Sequence, residues 1–213
     1  MVSDRITPAP TADGLLVVTV TRLVWEVWSV SFKYVNVVNV LIVYGTTEGQ
    51  TRKIAEWAAT HLRKLGHEIE LRDSASPAPD SDIPTFDAFI IAASVHQERH
   101  QDTVINFAIA HHELLNAKPA AFISVSLSAV LEDEKKEAQK YVDRFVSVTG
   151  WQPRMSLLLG GALRFTEYDY FQEQIVKFIV MKRGGTECTG HDHEFTDWNA
   201  LASFVDGFLE IAV

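Results

Sequence analysis

Four stretches of this chain, residues 37–44, 86–93, 119–125 and 155–159, are almost purely apolar and too short for helices. A strand that is apolar on both its alternating faces has to be covered on both sides, the condition of a parallel sheet between two helical layers. Between these runs lie segments of helical period. In residues 50–65, Ile54, Ala58, Leu62 and Leu65 recur at intervals of 4, 4 and 3, and Gly66 closes the segment. Residues 102–115 and 132–148 continue the alternation, the latter followed by Gly150. A final helix is predicted over residues 196–208, with Thr196 as its N-cap and Trp198, Leu201, Phe204, Val205 and Phe208 on its apolar face. Residues 67–72 (HEIELR) form a further strand, and the Ser-, Pro- and Asp-rich residues 74–84 a loop. The expectation is an α/β fold: a doubly wound, five-stranded parallel sheet of order 2-1-3-4-5 with right-handed crossovers. Ligands of such sheets bind beyond the carboxyl ends of the strands, where the order reverses between the first and third strands.

A chain of 213 residues suits one domain with additional material, here assigned as residues 37–213 preceded by an extension, residues 1–36. Residues 15–32 of that extension are strongly apolar but carry Arg22 and Glu26, fall short of a spanning helix and have no basic stretch before them. This argues against a signal peptide. Their β-branched character favours a strand. The extension is therefore an added edge strand, an interaction segment or non-native sequence. A formal net charge of −9 argues against a general nucleic-acid partner. The single cysteine, Cys188, permits no intrachain disulfide and no cysteine-pair zinc site, which fits a reducing, cytoplasmic setting.

The first strand runs into Gly45-Thr46-Thr47-Glu48-Gly49-Gln50-Thr51 and then at once into a helix. Two glycines allow a tight turn, the threonines offer hydroxyl donors, and the helix start adds free N–H groups and partial positive charge. The loop lacks the lysine and spacing of G-x-x-x-x-G-K-[ST] and is not G-x-G-x-x-G, which disfavours nucleotide triphosphatase and dinucleotide sites. A phosphate here is held by neutral donors. Ser94, Val95, His96 and Gln97 follow the third strand, and Ser126, Leu127, Ser128 and Ala129 the fourth. All three loops belong at the same crevice, which then suits a flat ring joined to a phosphate.

The segment VYGTTEGQT resembles the FMN phosphate loop of flavodoxins. ISVSLSA, WQPR, GGALRF, the tyrosine-rich residues 168–171, MKRGG and FTDW follow in an order similar to the menaquinone-dependent protoporphyrinogen oxidases of bacterial haem synthesis, over residues 38–211. The resemblance implies a flavodoxin-like fold with FMN as cofactor. It places Thr46, Thr47, Glu48, Gly49, Gln50 and Thr51 around the phosphate, with the Glu48 carboxylate turned away from it because like charges repel. It places Ser94, Val95, His96 and Gln97 on one side of the isoalloxazine and Ser126, Leu127, Ser128 and Ala129 on the other. The implied reaction passes two electrons and a proton equivalent from a reduced substrate, a porphyrinogen, to FMN and on to a quinone. No protein acid or base is assigned a catalytic role, because the flavin carries the chemistry.

An insertion of unusual length, residues 161–195, precedes the last helix. Phe171, Ile175, Phe178 and Ile179 fall on one helical face, and Lys182 and Arg183 sit before the terminating Gly184-Gly185. This helix docks on its own sheet or touches the cytoplasmic face of a membrane peripherally. In the family the insertion serves substrate and quinone access, which implicates Arg164, Tyr168, Tyr170 and Phe171. The family's arginines suit porphyrin propionates. Here Glu167, Asp169 and Glu173 follow Arg164, and acidic groups repel propionates. The alternative is a flavodoxin-type FMN electron carrier, whose acidic surface suits basic redox partners. His96 and His100 stand four apart, Cys188, His191 and His193 cluster in a polar loop, and His111-His112 suits a solvated helix end. None is assigned as a metal site.

Overall fold

The computed structural model of the chain describes residues 36–76, 81–163 and 193–212. Its strands are β1 (Asn39–Gly45), β2 (Glu68–Asp73), β3 (Ala88–His96), β4 (Arg99–His100), β5 (Ala120–Ser126), β6 (Met155–Gly160), β7 (Ala162–Leu163) and β8 (His193–Glu194). The helices are α1 (Gln50–Lys64), α2 (Asp102–Ala110), α3 (His112–Ala117), α4 (Lys135–Thr149) and α5 (Trp198–Ala212). The sheet order is β2-β1-β3-β5-β6, all pairs parallel. This is the predicted 2-1-3-4-5 path, since β5 and β6 are the fourth and fifth long strands. Three short strands were not foreseen: β4, which pairs antiparallel with the end of β3, and β7 and β8, which pair with each other.

The alternation of side chains explains why the inner runs are apolar throughout. Val40, Ile42 and Tyr44 of β1 join Ile54, Ala58 and Leu62 of α1 and Leu201, Phe204 and Phe208 of α5 in one core. Leu41 and Val43, pointing the other way, join Val104 and Ile105 of α2, Val142 and Phe145 of α4, and Trp151. Each fully buried large side chain contributes on the order of 1.5–3 kcal/mol relative to exposure. The edge strands β2 and β6 are less covered, in keeping with the polar residues in HEIELR. Leu65 also departs from its expected core position: it ends α1 exposed, and Gly66 takes φ +95° behind it.

Other local expectations shift for identifiable reasons. The helix predicted over residues 102–115 breaks at His111, which takes φ −117° and ψ 14° with its ring 4.7 Å from Phe107. The helix predicted from residue 132 opens with a 3₁₀ turn, Glu132–Glu134, before α4, and Gly150 ends α4 at φ +71°. The last helix begins at Trp198, and its cap is Asp197 instead of Thr196. Asp197 Oδ1 accepts the backbone N–H groups of Asn199 and Ala200 at 3.0 and 2.9 Å.

β7 and β8 form an antiparallel ladder that brings the two ends of the insertion together. Arg164, Tyr168, Tyr170, Phe171 and the predicted helix that includes Phe171 lie outside the described residues, as do residues 1–35 and the Cys188 and His191 of the polar cluster. Among the described residues no helix is long and apolar enough to cross a membrane.

Candidate functional site at the carboxyl ends of the sheet

Gly45 ends β1 where a side chain has no room: a Cβ there would lie 2.3 Å from Val104 Cγ2. The chain then turns through Thr46–Gly49. Thr46 Oγ1 accepts the Gly49 N–H at 2.9 Å, and Gly49 takes the left-handed conformation at φ +87° that a glycine adopts without strain. α1 starts immediately after it, with no acidic residue in its first turn and no side-chain cap, so its amides and its positive dipole end remain available to an anion. Thr51 is fully buried in that first turn, and its Oγ1 has no hydrogen-bond partner among the described residues.

The other two walls come from β3 and β5. Ser94, Val95 and His96 belong to the end of β3 itself and not to a loop: Ser94 still pairs with Val125 of β5, and pairing with β4 then prolongs the strand, Val95 facing His100 and His96 facing Arg99. Gln97 and Glu98 make the connecting turn at φ +49° and +61°. Ser126 closes β5 and is buried. Its Oγ accepts the Ala129 N–H at 3.2 Å, shaping the 3₁₀ turn Ser128–Val130.

These three strand ends line one open cleft. Of the residues expected to meet there, Thr46, Thr47, Glu48, Gln50, Ser94, Val95, His96, Ser126 and Leu127 line it. Gly49, Thr51, Gln97, Ser128 and Ala129 do not line it; they shape the turns around it or lie beneath it. Val125, Gly161 and Ala162 line it as well and were not anticipated. The GGALR motif was the available signal for the last two. Gly160 also has no room for a side chain, since a Cβ would lie 2.6 Å from the Phe195 carbonyl oxygen. Thr196, expected as a helix cap, instead accepts Gln50 Nε2 at 2.8 Å and donates to the Gly160 carbonyl at 2.9 Å. It thereby joins the start of α1 to the end of β6.

No lysine or arginine is among the described residues lining the cleft. The nearby cations are engaged elsewhere. Lys53 pairs with Glu194 at 2.5 Å and holds its carboxyl below the usual range, while Trp198 Nε1 donates to the same carboxylate at 2.8 Å. Arg52 donates to the Tyr44 hydroxyl at 3.1 Å and to Asp73 at 3.3 Å. An anion here meets hydroxyls, amides and a helix dipole, a donor set that suits a phosphate monoester. Below the cleft, His100 is buried against Phe122 and Phe145, with Nε2 3.0 Å from Ser124 Oγ, and burial lowers its pKa to about 4. Its partners make it part of the core. Among the described residues no three His, Cys, Asp or Glu side chains converge on a metal position.

The flavodoxin domain family matches residues 41–189. The protoporphyrinogen IX dehydrogenase [quinone] of Escherichia coli K12 is 30% identical over 166 residues, which cover 77% of this chain and 91% of that protein. The protein of the same name from Leishmania major is 28% identical over 175 residues, 80% of this chain and 74% of the relative. Among solved structures, a short-chain flavodoxin associated with a bacterial microcompartment superposes with a TM-score of 0.50 at 14% identity, covering 83% of this chain and 99% of its own, a likeness of fold. By its sequence, its sheet order and the position of its cleft, the chain belongs to the flavodoxin domain family, alongside the protoporphyrinogen IX dehydrogenases.

Proposed function

We propose that the protein is an FMN-dependent oxidoreductase that oxidises protoporphyrinogen IX and passes the electrons to a quinone. The observation that carries this is the extent of the likeness: it runs through 91% of a relative named for that reaction, and a second relative of the same name comes from a distant organism. The cleft supports the cofactor half of the assignment. Thr46, Thr47, Glu48, Gly49, Gln50 and Thr51 would hold the FMN phosphate through hydroxyls and backbone amides, and the orphaned Thr51 Oγ1 is a buried group in need of such a partner. Ser94–Gln97 and Ser126–Ala129 would flank the ring, with Val95 and Leu127 as its apolar contacts. Bound FMN would supply two-electron redox chemistry that no described side chain lining the cleft provides.

The insertion leaves the domain beside Gly161 and Ala162, both of which line the cleft, so its first residues emerge at the cleft edge. Arg164, Tyr168, Tyr170 and Phe171 follow directly in sequence and would govern access of substrate and quinone. The same segment would supply any peripheral contact with the cytoplasmic face of a membrane.

The test is a visible spectrum of the purified protein followed by turnover. The expected result is a yellow protein that oxidises protoporphyrinogen IX while reducing a menaquinone analogue, three quinones per porphyrin formed. FMN bound without such turnover would reject the substrate and favour an electron carrier. A colourless protein that fails to take up added FMN would reject the cofactor as well.

A further inference from the structure

Gln101 stands outside the loops that line the cleft, at the residue preceding α2. Its side-chain Nε2 donates to Thr47 Oγ1 at 3.1 Å and also to Ser94 Oγ. One amide thus ties the loop after β1 to the end of β3. Its orientation follows from what lies on the other side. Gln101 Oε1 is buried without a partner, close enough to Gly45 that a Cβ there would lie 3.1 Å from it. Reversing the amide would strand two donors there in place of one acceptor, and each unsatisfied buried group costs about 1–3 kcal/mol.

A hydroxyl has one proton to give and two lone pairs to accept with. When it accepts an N–H from the protein, its proton remains for a ligand. Thr46 and Ser126 are held in this way by the backbone N–H groups of Gly49 and Ala129. Thr47 and Ser94 have no such backbone donor in the bonds that fix them; the Gln101 amide takes that role for both. All four hydroxyls are thereby left with protons to donate, in a cleft whose described lining has no lysine or arginine. We propose that Gln101 is a positioning residue that sets the hydroxyls of Thr47 and Ser94 as donors to the cofactor phosphate. The proposal rests on the FMN assignment above. It moves Ser94 from the ring-flanking group, where it was placed above, to the phosphate end of the cleft, because one amide reaches both hydroxyls.

The experiment compares FMN with riboflavin, which has the same ring and no phosphate. Dissociation constants for both are measured by flavin fluorescence on the full-length apoprotein, for the wild type, Gln101→Met and the background Thr47→Val/Ser94→Ala with and without Gln101→Met. Gln101→Met is expected to weaken FMN by about tenfold, the scale of one or two hydrogen bonds, and riboflavin by no more than about twofold. In the background lacking both hydroxyls its effect on FMN should shrink to about twofold or less, because residues that act through each other are not additive. Equal losses for the two flavins would overturn the proposal, as would an undiminished effect in that background. If Gln101→Met lowers the melting temperature of the apoprotein, the isosteric Gln101→Glu takes its place. A carboxylate accepts the hydroxyl protons, so FMN should weaken further while riboflavin again changes little; equal effects would overturn the proposal here too. A wild type that binds neither flavin would overturn the cofactor assignment and this proposal together. A wild type that binds both, with unchanged variants, would overturn this proposal alone.

Discussion

At the scale of single residues, burial decides what each polar group does. His100 packs edge-on against the stacked rings of Phe122 and Phe145 as a neutral ring, its pKa lowered to about 4 from an ordinary 6.5 by burial. Its folded-state pKa lies below its unfolded one, so the stability it contributes is present above about pH 6.5 and is lost as pH falls toward 4. Between pH 7 and pH 5 that loss is about 2 kcal/mol. Buried His67, also lowered by burial, adds to the same slope. His100→Gln removes one of these two titrations, and urea unfolding at pH 7 and pH 5 should therefore show a smaller difference in the variant by about 2 kcal/mol. Gly45 illustrates the opposite constraint, that of space. Gly45→Ala forces a methyl against Val104 and Gln101, and an overpacked site of this kind costs about 1–3 kcal/mol, read as a lower urea midpoint at unchanged slope.

At the scale of elements, the ends carry the information. The β3–β4 turn places Gln97 and Glu98 at positive φ, a conformation that side chains disfavour and that two-residue hairpins usually fill with Asn-Gly. Gln97→Asn with Glu98→Gly should raise stability by roughly 0.5–1 kcal/mol in chemical denaturation, since the native turn already has the geometry those residues prefer. The start of α5 gives adjacent residues two separate roles. Asp197→Ala removes the cap and should cost about 1 kcal/mol. Thr196→Val leaves that cap intact and instead cuts the tie from Gln50 to Gly160, so its effect belongs to the cleft and should appear in flavin affinity. Helix breaks follow the same logic: the apolar period of residues 102–115 is real, but His111 leaves the helical region with its ring tilted against Phe107, and one predicted helix becomes two.

At the scale of the whole molecule, a cofactor that binds only the folded state stabilises it by mass action. FMN at 100 times its dissociation constant should add about 2.7 kcal/mol, a rise in melting temperature of roughly 5–10 °C for a chain of this size. Riboflavin at the same multiple of its own constant should do the same, which separates binding from any special effect of the phosphate. The division at residue 36 is also open to test. β1 pairs with β2 and β3, and its side chains reach both described cores, so the chain from Val37 onward is expected to fold and bind FMN by itself.

The amino-acid order alone determined the architecture, because a strand that is apolar on both faces has a stable place only between two helical layers. It also determined the turn from Gly45 to Thr51, since a short glycine- and threonine-rich turn between such a strand and a helix is a local feature. The tertiary structure decided what no local pattern encodes. It showed that β3 runs on through Ser94, paired with Val125 of β5, to Val95 and His96, which only pairing with β4 extends. It joined Gln50 to Thr196, 146 residues apart, and moved the last helix cap to Asp197. It placed the Gln101 amide between Thr47 and Ser94, although nothing in the spacing of those residues marks them as partners. Propensity and periodicity act over a few residues, whereas a hydroxyl acquires its donor role from whichever distant group the packed chain brings within about 3 Å of it.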